Sequence, residues 1–517
     1  MSMPEDRESR LRPSWVIWAA IAVTVAARLP LLGLPAWADE AGFLMVGGSW
    51  HLGDSPVDES LYDTYWVDRP PVLITLYGLA DRLGGVVALR LLGALAAAVT
   101  VACVAWIAHS VAGARAAAWA AVTGAALLST PFHWSFMVDG ELVAAPFVAA
   151  GIGCVISGLA ADGRRGLLLS GAGGVLAAAA ILTKQNLADV FVFMAALVPL
   201  ALMLRSISLR NAAWRSGAFV AGVLAFSAVV AAWTVAHGTS LGSVFYAMYP
   251  FRLDAAQATA SGTTGISWNR LQQMGMAALL SGLLLLTLWV ATSGLRRRNR
   301  NPCIIALLAV LAFDLFSVSA GTSYWLHYLV QPAVPVAALT GIVAARESGA
   351  RVLSIGAVVT ALAGWAVLVM SPPQTAEELV GEAIADVSTP EDSIVTMPGH
   401  SNVNYAAGLP SPYPYLWAIP ARTLDPGGTE LKQLLRGPEA PTWVVVYHPV
   451  RRQPPDGTVG ATLVEHYRRV ARICGKTVFL NRDASRAQPA AAPRPDATRA
   501  SQCESVTVLP HLLRELS

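Results

Sequence analysis

The stretch that decides the fold is SWVIWAAIAVTVAARLPLLGL at residues 14–34, followed at once by Pro35-Ala36-Trp37-Ala38-Asp39-Glu40. An apolar run of this length, with Arg28 as its only charge, spans the roughly 30 Å hydrocarbon layer of a bilayer. Arg7, Arg10 and Arg12 lie before it, and an acidic, tryptophan-bearing segment follows. Because basic flanks stay in the cytoplasm, residues 1–13 form a cytoplasmic segment and Asp39-Glu40 emerges on the other side. A cleavable signal peptide is not expected: the apolar run is too long, and Leu34-Pro35-Ala36-Trp37 is a poor cleavage site.

Working outward, the same pattern recurs. The chain is 55% hydrophobic and 13% charged, about half the charged share of a soluble domain. Spans are expected at Ser14–Leu34, Val86–Ser110, Ala114–Pro131, Leu142–Ala160, Gly166–Leu182, Leu187–Leu204, Ala218–Ala236, Ala277–Ser293, Cys303–Ser319, Leu326–Ala345 and Val352–Met370, about 11 transmembrane helices in all. Every second connection is basic: Arg115, then Arg164-Arg165, then Arg205 with Arg210 and Arg215, then Arg296-Arg297-Arg298 with Arg300, then Arg346 and Arg351. These are the cytoplasmic loops, and an odd helix count places the chain beyond Met370 outside. No long basic, aromatic-interleaved run suggests nucleic acid. Only Lys184, Lys432 and Lys476 are lysines among many arginines and alanines, the bias of a GC-rich bacterial genome. A multi-pass bacterial cell (inner) membrane protein is therefore expected.

The non-basic connections hold most of the loop acids and aromatics. Asp39-Glu40 could be solvated interfacial charges; in the functional reading one acid takes a proton while its neighbour orients a partner or binds a cation. Further along the 35–85 loop, Tyr62-Asp63-Thr64-Tyr65-Trp66-Val67-Asp68-Arg69-Pro70-Pro71 crowds aromatics, acids and an arginine against two rigid prolines. Tyr65, Trp66 and Asp68 suit a sugar and Arg69 a phosphate; the plain alternative is an aromatic belt with a surface ion pair. Asp139-Gly140-Glu141 reads as a helix start or a second acidic site. Lys184, in Thr183-Lys184-Gln185-Asn186, is a snorkelling charge or a phosphate contact. His327 and Tyr328 lie at the start of a span that Pro332 and Pro335 would kink. A lone histidine there is commonly structural. What carries the argument is that five such segments fall on one side.

Residues 371–517 form a separate extracytoplasmic region. Ser393–Met397 and Trp443–Tyr447 read as buried strands, Thr389–Asp392 and Asp425–Gly428 as turns, and Ala484–Arg499 as a flexible excursion. A small α/β domain fits, with no catalytic constellation, so acceptor docking or a structural role is expected of it. Outside the cytoplasm, Cys474 and Cys503 are able to form a disulfide. Cys103, Cys154 and Cys303 read as small buried hydrophobes.

The order of these motifs resembles the GT-C membrane glycosyltransferases, the protein mannosyltransferase-like and aminoarabinose-transferase-like group (glycosyltransferase families 39 and 83). The resemblance covers residues 14–345, is most specific at Asp39-Glu40 and Arg69-Pro70-Pro71, and stops short of the tail. It implies a catalytic domain over 14–370 that transfers one sugar, with inversion, from a polyprenyl-phosphate carrier to an acceptor on the outer face. By matching position, Asp39 would be the catalytic base with Glu40 beside it, Asp139 the second acidic site with Glu141 close by, and Lys184 a carrier-phosphate contact. Asp68-Arg69-Pro70-Pro71 would shape the donor or acceptor cavity, and His327-Tyr328 would also serve the carrier phosphate. Relatives often carry Lys or His where this chain has Arg69.

The chemistry holds without the family. Nucleotide sugars are not available outside the cytoplasm, so the activated sugar must arrive on lipid. A phosphate leaving group needs little general-acid help, so one carboxylate base plus cations can suffice. A divalent metal ion could assist, although no decisive ligand cluster is evident. The acceptor is a glycan, a lipid or a protein. A transporter or flippase for a lipid-linked sugar would instead show inverted repeats and charges in the bilayer core, and an inert scaffold would make Asp39 dispensable.

Overall fold

A computed structural model describes residues 13–50, 61–260, 264–295, 301–321, 323–370, 372, 376–397, 399–447, 457–490 and 503. Arg7, Arg10, Arg12, Arg296, Arg297, Arg298 and Arg300, which carry part of the orientation argument, lie outside the described residues, as do positions 51–60 of the first loop and most of Ala484–Arg499.

The protein is a polytopic α-helical membrane protein, and the expected spans fall on helices, except that Ala277–Ser293 is divided between two and Ser14–Leu34 runs past the end of its helix at Ala26. The helices are α1 (Pro13–Ala26), α2 (Ala38–Ser49), α3 (Pro71–Ala112), α4 (Ala114–Ser129), α5 (Gly140–Ala160), α6 (Gly163–Thr183), α7 (Asp189–Met203), α8 (Leu209–Ala236), α9 (Leu241–Met248), α10 (Pro250–Ala260), α11 (Thr264–Leu280), α12 (Leu283–Gly294), α13 (Pro302–Ala320), α14 (Val330–Ala344) and α15 (Ser348–Met370). Among the described residues, 8 helical segments are long and apolar enough to span a bilayer, and α11–α12, bent by 69°, make a ninth if taken together. Helices α4 and α7, at 16 and 15 residues, are shorter. Pro131 accounts for the early end of α4, since the residue before a proline is pushed out of helical geometry.

The first loop departs from expectation. It contains a helix, α2, and α3 begins at Pro71, well before Val86. Its first turns bury Leu73, Ile74 and Tyr77 against α2, where a Cβ on Gly47 would lie 2.5 Å from the Gly78 nitrogen. Gly84 and Gly85, at φ of 140° and 62°, break α3 in a conformation that side chains disfavour. The hydrophobic run thus continues past the expected boundary and changes direction there.

The tail is a small α/β domain. Strands β1 (Ile394–Met397), β2 (Trp443–Val446), β3 (Tyr467–Ile473) and β4 (Lys476–Asn481) form one sheet in the order β1-β2-β4-β3. The β1–β2 pair is parallel, and β4 is antiparallel to both neighbours. The expected strands at 393–397 and 443–447 are β1 and β2. The β3–β4 hairpin was not expected, because Arg468, Arg469 and Arg472 interrupt its apolar pattern. Its turn, Cys474-Gly475, takes positive φ at both residues, as a two-residue hairpin favours. Cys474 is joined to Cys503 by a disulfide. The domain rests on the first loop: Trp66 N donates to Pro414 O at 3.0 Å, and Ser401 Oγ to Ala38 O at 2.5 Å.

Candidate active site

Asp39 and Glu40 open α2, but successive helical residues point about 100° apart, and the two acids meet different surroundings. Glu40 is fully buried. Its Oε2 accepts from Arg90 Nη2 at 2.9 Å and from Trp37 N at 3.2 Å, and its Oε1 accepts from Val138 N at 3.0 Å. Arg90 also donates to the carbonyls of Leu31 (3.0 Å), Leu34 (2.6 Å) and Pro35 (2.8 Å). This carboxylate clamps the end of the first span to the loop before α5. Asp39 is only partly buried, and its Oδ1 accepts from the indole Nε1 of Trp417, in the tail, at 2.8 Å.

Asp139 caps α5: its Oδ1 accepts from Leu142 N at 3.0 Å. Burial first, then repulsion by Glu141, pushes the Asp139 carboxyl well above its ordinary value. Glu141 is ion-paired with Lys184, which follows α6 and lies 4.8 Å from the centroid of the Tyr328 ring. Burial lowers the Lys184 ammonium below its usual pKa, with Glu141 opposing. Gly140 makes room for this lysine, since a Cβ there would lie 3.0 Å from Lys184 Cδ. His327 sits in the 3-10 turn that leads into α14, its Nδ1 4.0 Å from Asp139 Oδ2 and its Nε2 3.9 Å from Glu141 Oε2.

The Pro-Pro segment supplies the remaining cation. Arg69 Nη1 bonds Asp68 Oδ1 at 2.6 Å, and its guanidinium lies 5.3 Å from the Phe43 ring centroid. Burial disfavours its charge, but Asp68 and then Asp39 outweigh that and raise its pKa. Asp68 also pairs with Arg252 of α10 at 2.9 Å; burial, which would raise this carboxyl, is overcome by Arg252 and Arg69, so it lies below its ordinary value. Tyr65 and Trp66 are buried under the tail, Tyr65 OH accepting from Ser411 N at 3.1 Å and Trp66 packing against Phe251 with tilted rings, centroids 4.1 Å apart.

Asp39, Arg69, Asp139, Glu141, Lys184, His327 and Tyr328 thus fall in one electrostatically connected group. Glu40, Tyr65 and Trp66 serve the scaffold that holds it. Asp139 Oδ2, Glu141 Oε2 and His327 Nδ1 are buried without a hydrogen-bond partner, and these three residues can bring one ligand atom each within 4.8 Å of one another. That donor set, two carboxylates and an imidazole, fits a divalent cation.

Sequence reasoning missed Arg90, Arg252 and Trp417. Arg90 was visible as a charge inside the expected span Val86–Ser110, and a charge there demands partners. Trp417 ends the aromatic run Tyr413-Pro414-Tyr415-Leu416-Trp417, but nothing local ties it to Asp39. Two acids inside the bundle were also passed over. Asp189 and Asp314 are 1% and 0% exposed, and Gln331 Nε2 donates to Asp314 Oδ1 at 2.9 Å.

No protein-family model matches this chain, and no curated protein matches it by sequence. Solved structures do. The oligosaccharyltransferase of Archaeoglobus fulgidus in complex with Zn and sulfate superposes with TM-score 0.53 at 13% identity, over 87% of this chain and 71% of that one. The oligosaccharyltransferase AglB from Archaeoglobus fulgidus, with an inhibitory peptide and a dolichol-phosphate, gives 0.53 at 12% over 92% and 74%. ArnT from Cupriavidus metallidurans, bound to undecaprenyl phosphate, aligns more loosely, with TM-score 0.49 at 17% over 92% and 99%. At these identities the likeness is one of fold, and the fold is the GT-C type.

Proposed function

We propose that this protein transfers a sugar from a polyprenyl-phosphate-linked donor to a cell-envelope acceptor at the extracytoplasmic face of a bacterial inner membrane, with inversion. The observation that carries this reading is the convergence of one accessible carboxylate, Asp39, with the partly buried cation Arg69 and the buried cation Lys184 on a GT-C scaffold. Asp39 takes the proton of the acceptor hydroxyl. The acceptor oxygen bonds to the anomeric carbon as the bond to the carrier phosphate breaks, and the carrier leaves with the electron pair. Arg69 and Lys184 face the charge that develops on the phosphate, with His327 and Tyr328 lining the same region. Asp68 orients Arg69.

Asp139, Glu141 and His327 would hold a divalent cation, whose chemistry there would be to neutralise the leaving phosphate. The archaeal neighbours support both elements, one bound to zinc and one to a dolichol-phosphate. The buried Asp189–Asp314 pair is what a transporter or flippase reading would build on.

The test incubates the purified full-length chain in detergent with undecaprenyl-phosphate-linked mannose, arabinose and galactose, with envelope extract of a deletion strain as acceptor. Release of free undecaprenyl phosphate, abolished by Asp39→Asn with insertion intact, is the expected result. An intact sugar–lipid bond with every donor favours transport, and wild-type turnover by Asp39→Asn removes the base assignment. Mass spectrometry of the deletion strain's glycans and glycoproteins would name the sugar and its acceptor.

A further inference from the structure

We infer that the tail domain completes the active site through Trp417, a positioning residue for the base Asp39; the inference rests on the reading of Asp39 given above. Trp417 ends the segment before a short helix, α16 (Ala418–Leu424), and is 378 residues from Asp39 in sequence, yet its Nε1 donates to Asp39 Oδ1 at 2.8 Å. The contact is built from both sides. A Cβ on Gly42, one turn along α2, would lie 2.3 Å from Trp417 Cζ2, so only glycine admits the indole at this depth. Phe43 packs on it with ring centroids 5.1 Å apart. Ser401 Oγ anchors the first turn of α2 through Ala38 O at 2.5 Å. The tail backbone at Gly399 fits under the tryptophan, where a Cβ would meet the Trp417 carbonyl carbon at 2.6 Å.

The chemical consequence follows from how a carboxylate works as a base. A side chain at the start of a helix can rotate about two bonds, and a base must keep one oxygen aimed at the acceptor hydroxyl. An indole is a donor only, so it cannot take the proton itself. By fixing Oδ1, Trp417 leaves Oδ2 as the oxygen that receives the proton. The geometry places no comparable donor from the membrane domain on Asp39 among the described contacts, since Glu40 and not Asp39 takes Arg90 and the loop amides. The tail is therefore more than a structural appendage, and more than an acceptor platform.

The experiment uses the full chain in detergent. In a sample labelled with 15N-tryptophan, Trp417→Phe identifies the Trp417 indole signal by its loss. Asp39→Ala should move that signal upfield, as expected when a charged acceptor is removed. A signal that Asp39→Ala leaves unmoved overturns the contact, and this arm keeps Trp417 in place. In the turnover assay, with whichever of undecaprenyl-phosphate mannose, arabinose or galactose is a donor, Trp417→Phe should lower kcat by about 10- to 100-fold, the usual loss when an outer partner stops orienting a reacting group. Donor and acceptor KM should stay within about twofold. Unchanged kcat overturns the inference, and so does a raised acceptor KM at constant kcat, which would make Trp417 a docking surface. Wild-type turnover in Asp39→Asn defeats the base reading instead, and the indole arm distinguishes that outcome from the absence of the bond.

Discussion

Replacing Glu40 with Gln should destabilise this protein, whereas replacing its neighbour Asp39 with Asn should leave it standing. The magnitude follows from what each carboxylate touches. Glu40 is fully buried, pairs with an arginine whose side chain is 3% exposed, and accepts from two backbone amides on either side of the site. Removing one partner of a buried pair costs about 3–5 kcal/mol, because the other charge is left uncompensated. The carbonyls of Leu31, Leu34 and Pro35 still solvate Arg90, and Gln keeps an acceptor for one amide, so the lower end of that range applies. Arg90→Met should cost at least as much, since it strands the Glu40 carboxylate with amide donors alone. The double variant Glu40→Gln/Arg90→Met should recover part of the loss, with a coupling energy of about 1–3 kcal/mol. Thermal unfolding followed by size-exclusion fluorescence should show the single variants melting about 3 °C below wild type, with Asp39→Asn close to it. If Glu40→Gln and Arg90→Met both melt like wild type, the clamp is not what holds the first loop in place.

Acid should loosen the site from the Pro-Pro side. Asp68 is held below its ordinary carboxylate value, so its pairing with Arg69 and Arg252 contributes stability that is present above about pH 4 and lost as pH falls through the lower folded value; the acid-unfolding midpoint of Asp68→Asn should be correspondingly less pH-dependent. Mn2+ should bind the purified chain, read by electron paramagnetic resonance, and Asp139→Ala should weaken that binding by at least about 10-fold while Asp68→Asn does not. Asp314→Asn keeps the acceptor for Gln331 and replaces one of two neighbouring buried carboxyls with a neutral amide of the same shape, so its stability should lie within about 1 kcal/mol of wild type or above it. Cys474 and Cys503 should be alkylated by an impermeant maleimide on intact cells only after reduction, and reduction should cost the tail about 3–4 kcal/mol for a loop of 29 residues.

Most of the bundle was legible because a bilayer enforces long apolar runs, and the expected runs fall on helices, with Ala277–Ser293 divided between α11 and α12. The first loop was only half legible. Its aromatic and proline residues signalled a rigid segment, but α2 and the early start of α3 depend on burial against each other, which no local pattern states. The site was legible as a set of loop motifs, since Arg69, Asp139, Glu141, Lys184 and His327 do meet. Their contacts were less so: Tyr65 and Trp66, expected to suit a sugar, meet the tail at Ser411 and Pro414, which no local pattern states.

The Asp39-Glu40 pair shows why adjacency misleads. In sequence the two acids are interchangeable, and either could serve as the base. One helical step of about 100° turns Glu40 toward α3 and Arg90 and leaves Asp39 facing the tail. The first environment satisfies its carboxylate from every side with buried donors, which suits a joint. The second satisfies one oxygen with a neutral donor and leaves the side chain partly accessible, which is what a base requires. Arg90 could have been anticipated, because a charge within a span must find a partner on a neighbouring element. Trp417 could not, because its partner lies 378 residues away and the contact exists only once the tail has folded onto the loop. The surroundings of Asp39 are thus set by a non-local contact, while those of Glu40 follow from a local rule that the sequence already displays.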